Sequence, residues 1–160
     1  MDTDYLAPAA TKIGHVHLKV ADLERSIAFY RDLLGFEVQV RGPQSAFLGA
    51  GGYHHHIGLN TWHSAGQPPA PQNTAGLYHT AILYPTKHDL GVAYQRVLDA
   101  GLALDGWADH GVSLALYFRD PDENGVELYW DKPQGEWPLD DDGNLVLINR
   151  RFDLDILLEK

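Results

Sequence analysis

The chain has 160 residues, 44% of them hydrophobic, which is one domain's worth and enough to bury a core rather than stay disordered. Twelve Lys and Arg stand against twenty-two Asp and Glu; the net charge of −10 argues against a nucleic-acid or anionic-membrane partner, since both need a basic face. No apolar run is long enough to span a bilayer, no signal-peptide pattern opens the chain, and cysteine is absent, which fits a cytoplasmic location and leaves no thiolate chemistry.

In chain order, residues 1–11 read as a loose arm. Residues 12–20, KIGHVHLKV, read as a strand with His15 and His17 on one face and Val16, Leu18 and Val20 on the other. Asp22 is a good N-cap for a helix running to Leu34, with Gly35 as its stop, and Leu23, Ile27, Tyr30 and Leu34 make its buried face. Strands are predicted over 36–41, 45–50 and 53–62, the last being YHHHIGLNTW. The Pro-, Gly- and Ala-rich residues 64–76 read as a linker.

The pattern then begins again. Residues 77–84, LYHTAILY, read as a strand, and Thr86 opens a helix that Gly101 ends, with Leu90, Tyr94, Val97 and Leu98 on its apolar side. Further strands are predicted near 102–107, 112–118 and 126–130. Between the last two, Asp120-Pro121-Asp122-Glu123-Asn124-Gly125 has the chemistry of a tight turn. Both halves read β-α-β-β-β. His15 lies seven residues before the cap Asp22, and His79 seven before the cap Thr86, so the halves are treated as an internal repeat. Residues 133–160 form a polar, acidic tail with a last turn at 152–158.

In such a repeat His15 and His79 hold equivalent places and can face one another across a pseudo-twofold axis. Glu127 is a lone carboxylate in the apolar strand VELYW, costly to bury without a partner, and it can close the set. Two imidazoles and a carboxylate with open positions left over is the arrangement of non-haem Fe(II) oxygenases.

The segments IGHVHLKVADLERSIAFYRDLLGF, YHHHIGLNTW, GLYHTAILYP and DHGVSLALYFRDPDENGVELYW resemble the vicinal oxygen chelate superfamily, the glyoxalase/bleomycin resistance/extradiol dioxygenase group, and within it the catechol-2,3-dioxygenase-like branch, over roughly residues 11–132. The resemblance implies an α+β fold of two βαβββ modules in one chain, cup-shaped around a metal. Module one is residues 12–63 and module two residues 77–132. It implies His15, His79 and Glu127 as metal ligands, with Fe(II) first and Mn(II) or another divalent metal as alternatives. Its acid–base His falls in the His54-His55-His56 run; register favours His55, while alternation also admits His54 or His56. Tyr117, ten residues before Glu127, would hydrogen-bond the substrate, and a second active-site His falls near His110. The implied reaction is extradiol cleavage of a small aromatic diol by O2, with homo-oligomerisation left open. Phe47, Trp62, Trp107 and Trp130 are candidates for an aromatic wall, or plain core. Many enzymes of this branch carry four modules; this chain has two.

Other chemistries of the superfamily are weaker fits. Glyoxalase I members use a carboxylate from the last strand of module one. Glu127 is twenty-six residues after Gly101, and the same count from Gly35 reaches Thr61; no Asp or Glu lies between Arg41 and Asp89. Fosfomycin-resistance members also use two His and a Glu but need a cationic pocket, for which only Lys19 and Lys87 are near. Bleomycin-binding members hold no metal, which leaves the His/His/Glu set without a purpose.

Overall fold

The computed structural model describes residues 4–159; the first three residues of the expected arm lie outside that range. Two βαβββ modules follow one another. The first comprises β1 (Val16–Lys19), α1 (Leu23–Ala28), β2 (Glu37–Arg41), β3 (Ser45–Gly49) and β4 (Ile57–Asn60). The second comprises β5 (Thr80–Leu83), α2 (Lys87–Asp99), β6 (Gly106–Asp109), β7 (Ser113–Arg119) and β8 (Gly125–Asp131). Each forms a four-stranded mixed sheet of the same order, β1-β4-β3-β2 and β5-β8-β7-β6, in which the first strand runs parallel to the last. The α+β class and the repeat are therefore both present. No helix among the described residues is long and apolar enough to cross a membrane.

Alternation along the strands gives each sheet a core face and an open face. Leu18, Leu48 and Leu59 of module one share one cluster with Leu116, Phe118 and Leu128 of module two, and both helices press Ile27, Leu90 and Val97 into it. Residues of opposite parity, His17 and Phe47 in one sheet and Tyr117 and Glu127 in the other, are left to the open faces.

The caps fall where spacing predicts them. Asp22 accepts from the Arg25 amide at 3.1 Å, and Thr86 from the Asp89 amide at 3.1 Å. Gly35 and Gly101 follow their helices with φ of 81° and 68°, the left-handed turn that ends a helix most cheaply at glycine.

Several expected elements differ. The first helix is α-helical only to Ala28; Phe29–Leu33 widens to π-helical spacing, so that Phe29 and Tyr30, adjacent in sequence, are both buried. The first strand is Val16–Lys19 rather than 12–20, with Ile13 fully in solvent. The fourth strand, expected over 53–62, is only Ile57–Asn60. Gly51 and Gly52, with φ of 61° and 76°, turn the chain, and residues 53–56 follow as irregular loop. Strand alternation therefore assigns no face to His54, His55 or His56. The strand expected near 102–107 is Gly106–Asp109, because pairing with β7 begins at Gly106 opposite Tyr117. β5 begins at Thr80, and Leu77 and Tyr78 are exposed. Leu98 is 41% exposed, Val97 taking the inward place beside it.

The turn at 120–125 joins the modules as well as reversing the chain. Asp122 is buried and accepts from the Ala21 amide at 2.9 Å, Arg25 Nη2 at 2.8 Å and Ser26 Oγ at 3.1 Å. Asp120, also buried, accepts from the Tyr30 hydroxyl at 2.9 Å. Burial, reinforced by the Asp120 carboxylate, pushes Tyr30 well above its ordinary value and keeps it a donor.

The tail closes the open edge of β6. Asp109 and Arg150 exchange backbone hydrogen bonds at 2.8 and 3.1 Å. The Asp109 carboxylate, itself buried, takes Lys132 Nζ at 2.7 Å and Arg150 Nη2 at 2.9 Å. Burial alone would raise its pKa, but Lys132, the Gly111 amide and Arg150 outweigh it and hold the group at about 2, against an ordinary 3.8. A lowered folded pKa means stabilisation that is complete above the ordinary value and lost as pH falls through about 2. Acid titration is therefore expected to release the tail below the ordinary carboxylate pKa. Trp107 reports it, since its Nε1 donates to the Phe152 carbonyl at 2.9 Å. The same fluorescence transition in Asp109→Asn, at unchanged pH, would refute the assignment.

Candidate functional site

Four side chains meet on the open face of module two. Tyr117 and Glu127 are register partners across β7 and β8, so their side chains stand together. Ala81 pairs with Glu127, which puts His79, two residues earlier, on the same face; Gly106 pairs with Tyr117, which does the same for His110, four residues later. The result is a hydrogen-bonded row. His110 Nε2 is 2.7 Å from the Tyr117 hydroxyl, which lies 3.1 Å from Glu127 Oε1, and Glu127 Oε2 is 2.8 Å from His79 Nε2.

Donor counting constrains the protons. His110 Nδ1 lies 3.1 Å from the Ile148 carbonyl, which can only accept, so Nδ1 carries a hydrogen. Tyr117 has one proton and two neighbours. If it donates to Glu127, His110 Nε2 must also carry a proton, giving an imidazolium at one end and a carboxylate at the other. If it donates to His110, that ring is neutral. Moving a proton from His110 to Glu127 along the row takes two transfers, from His110 Nε2 to the Tyr117 oxygen and from the Tyr117 hydroxyl to Glu127 Oε1, and leaves Glu127 protonated. Burial, with the Glu127 carboxylate adding to it, raises the Tyr117 pKa strongly, so its hydroxyl stays protonated and works as a donor.

The open face of module one carries the other expected residues. His15 precedes β1, and its ring stands 4.4 Å from that of His55. His55 also meets Phe47, at 5.1 Å between rings, and its Nδ1 is 2.7 Å from His54 Nδ1. His56 turns away and bonds the Ala50 amide through Nδ1 at 3.3 Å. Desolvation lowers the His55 pKa, and the neighbouring His15 and His54 push the same way, so its neutral form is favoured. His17 packs over Gly58, where an added Cβ would stand 2.9 Å from its ring, and meets Trp62.

Two features of the module-two row suit a divalent cation. Glu127 is 9% exposed and pairs with no Lys or Arg among the described residues. The buried His79 Nδ1 has no hydrogen-bond partner, so that ring is held through the nitrogen facing Glu127. An imidazole nitrogen and a carboxylate oxygen side by side, here 2.8 Å apart, are donors of the kind a cation takes. His15, expected as the third donor, lies with His55 instead, and among the described residues no three His, Cys, Asp or Glu side chains gather as an ion site.

Sequence reasoning missed what the tail contributes. Ile148 orients His110, and residues 149–151 wall a cavity of about 460 Å³ beside Tyr117, with Tyr78 and Trp107 as its aromatic sides. The adjacent Arg150 and Arg151 in an acidic tail were the only signal. Of the other aromatics, Trp62 is 53% exposed and Trp130 packs against the core.

The model of the Glyoxalase/Bleomycin resistance protein/Dioxygenase superfamily matches residues 12–128. A catechol-2,3-dioxygenase of Bacillus subtilis is 41% identical over 94% of this chain and 52% of its own. A biphenyl-2,3-diol 1,2-dioxygenase of Rhodococcus globerulus is 36% identical over 75% and 63%. The chain therefore spans about half to two-thirds of these relatives. A metallothiol transferase, FosB of Lysinibacillus sphaericus, is 29% identical over 73% and 80%. A solved glyoxalase/dioxygenase from Nostoc punctiforme superposes with TM-score 0.64 over 81% of this chain and 97% of that one, at 20% identity, a likeness of fold.

Proposed function

The chain belongs to the glyoxalase/bleomycin resistance protein/dioxygenase superfamily, the vicinal oxygen chelate group, and from that premise we propose that it is a metal-dependent extradiol-type dioxygenase that opens a catecholic ring with O2. The observation that carries the reading is the row His110–Tyr117–Glu127–His79, which sets a proton relay directly against a cation's donors. In this reading His79 and Glu127 hold the metal with His15 as third ligand, Fe(II) in first place and Mn(II) or another divalent ion in second. When bound, the ion supplies Lewis acidity toward the diol oxygens and access to O2. Tyr117 donates its hydrogen bond to a substrate oxygen. His110 stores or returns a proton through that hydroxyl, a task imidazole performs well near neutral pH. His55 stands beside His15, so an arrangement that brings His15 to the ion brings His55 with it, in neutral form and ready to accept a substrate proton. The setting is the cytoplasm, and the substrate a small aromatic diol.

The test is anaerobic purification, metal analysis, reloading with Fe(II) or Mn(II), and a catechol screen for O2 uptake and the yellow ring-cleavage product. A metal-loaded protein that consumes no O2 with any catechol would defeat the proposal. The second reading, thiol transfer to a small electrophile, has the likeness to the metallothiol transferase in its favour; thiol consumption without ring cleavage would establish it. Glyoxalase turnover is expected to be absent. Thr61, at the place the first-module carboxylate would take, is a buried hydroxyl. Robust turnover of a methylglyoxal–glutathione hemithioacetal would contradict this.

A further inference from the structure

The cavity beside Tyr117 is lined by two adjacent arginines, Arg150 and Arg151. It shares Tyr78 and Tyr117 with the smaller cleft that holds His79, so a ligand held at the row extends into it. The protein as a whole carries −10, yet this wall is cationic. Asp109 is one carboxylate shared by two cations, Lys132 and Arg150. Arg151 pairs with no carboxylate among the described residues. Its guanidinium lies 4.0 Å over the Trp107 ring, and Nη1 donates to the Trp107 carbonyl at 3.0 Å. Stacked and pinned in this way, the guanidinium is held in place before any ligand arrives.

Its position relative to the row follows from the register. Gly106 is opposite Tyr117, and the atom nearest to a β-carbon added at Gly106 would be Arg151 Nη1, at 3.9 Å. The missing side chain thus leaves room beside Tyr117 for a group that reaches the guanidinium, with Tyr78 as the aromatic wall on that side of the cavity. An aromatic ring packed against Tyr78 would bring an anionic substituent to Arg151.

We propose that this cavity is the subsite for a carboxylate borne on the substrate's aromatic ring, with Arg151 as its partner. The substrate class is then an acid-bearing aromatic diol rather than an unsubstituted catechol. This rests on the ring-cleaving reading for the diol half only; the carboxylate half stands on the cavity.

Calorimetric titration of the purified full-length protein at low ionic strength tests the two halves separately. The first probes are phenylacetate and benzyl alcohol, which share a ring and differ in charge. Phenylacetate is expected to bind at least about tenfold more tightly, the usual yield of one charge-assisted hydrogen bond, and to weaken as salt is added. In Arg151→Gln the ratio between the two probes is expected to fall towards one, and in Arg151→Lys to recover in part. Equal binding of the two probes by the unaltered protein, or an unchanged ratio in Arg151→Gln, would overturn the subsite. Methylphosphonate bound as tightly as phenylacetate would overturn its aromatic character. The second pair of probes is 3,4-dihydroxyphenylacetate and 4-methylcatechol, followed by O2 uptake, and kcat/KM is expected to favour the acid by a similar ratio. Equal cleavage of both diols without a phenylacetate preference removes the subsite and leaves the dioxygenase. A phenylacetate preference without cleavage of any diol does the reverse.

Discussion

On the proposed dioxygenase reading, replacing Glu127 with alanine is expected to abolish metal loading and lower ring cleavage by at least about 10³-fold, the consequence of losing several kcal/mol of Lewis-acid stabilisation. The expectation follows from where Glu127 stands. It is nearly buried, no Lys or Arg among the described residues neutralises it, and both its oxygens are engaged, Oε1 by Tyr117 and Oε2 by His79. Alanine removes the charge and leaves the inward His79 nitrogen without a partner. Gln at the same position keeps the shape and a hydrogen bond to Tyr117 but not the charge, so Glu127→Gln is expected to stay folded and still lose the ion. Metal analysis beside a melting curve separates ligand loss from unfolding. A folded Glu127→Ala protein with a full complement of metal would take Glu127 out of the site. The same measurement on His15→Ala is the decisive one for module one, because His15 is the proposed ligand that lies outside the row.

The second large effect is on stability. Asp122→Ala is expected to cost about 2–4 kcal/mol, because the part-buried Ala21 amide loses its acceptor, at roughly 1–3 kcal/mol, and the Ser26 hydroxyl loses a charge-assisted bond and falls back on the Asp22 carbonyl. The ion pair to Arg25 adds little, since that side chain is 47% exposed. For a chain of this size the loss corresponds to a melting point lower by roughly 5–15 °C. The contacts run from the β7–β8 turn to the start of α1, so both modules should loosen together. A melting point within a degree or two of the unaltered protein would show that the apolar core alone holds the modules. Asp120→Asn is the milder companion, since asparagine still accepts from Tyr30.

Much of this was legible from the residues in order. The repeat could be read because each module needs the same caps and the same apolar period, and those are local requirements: Asp22 and Thr86 cap their helices, and Gly35 and Gly101 end them. The equivalence of His15 and His79 followed from the repeat. The family likeness gave Tyr117 a substrate contact and Glu127 a metal; that the two side chains pair with each other came from the register of β7 on β8.

Other features were invisible because they depend on contacts between residues far apart in the chain. A strand reading of residues 53–62 looked sound, but two glycines at positive φ turn the chain ahead of the histidine run, and pairing resumes only at Ile57. Asp120 and Asp122 looked like ordinary turn residues; their burial depends on α1, about ninety positions away in sequence. The tail read only as polar and acidic with a last turn, yet it supplies the carbonyl that orients His110 and the arginines of the cavity wall. Local sequence determined where this chain bends, caps and alternates, because propensity and periodicity act within a few residues. Which carboxylates are buried, which histidines share protons and where positive charge collects were decided only by the tertiary structure, since desolvation and pairing depend on what the folded chain brings alongside.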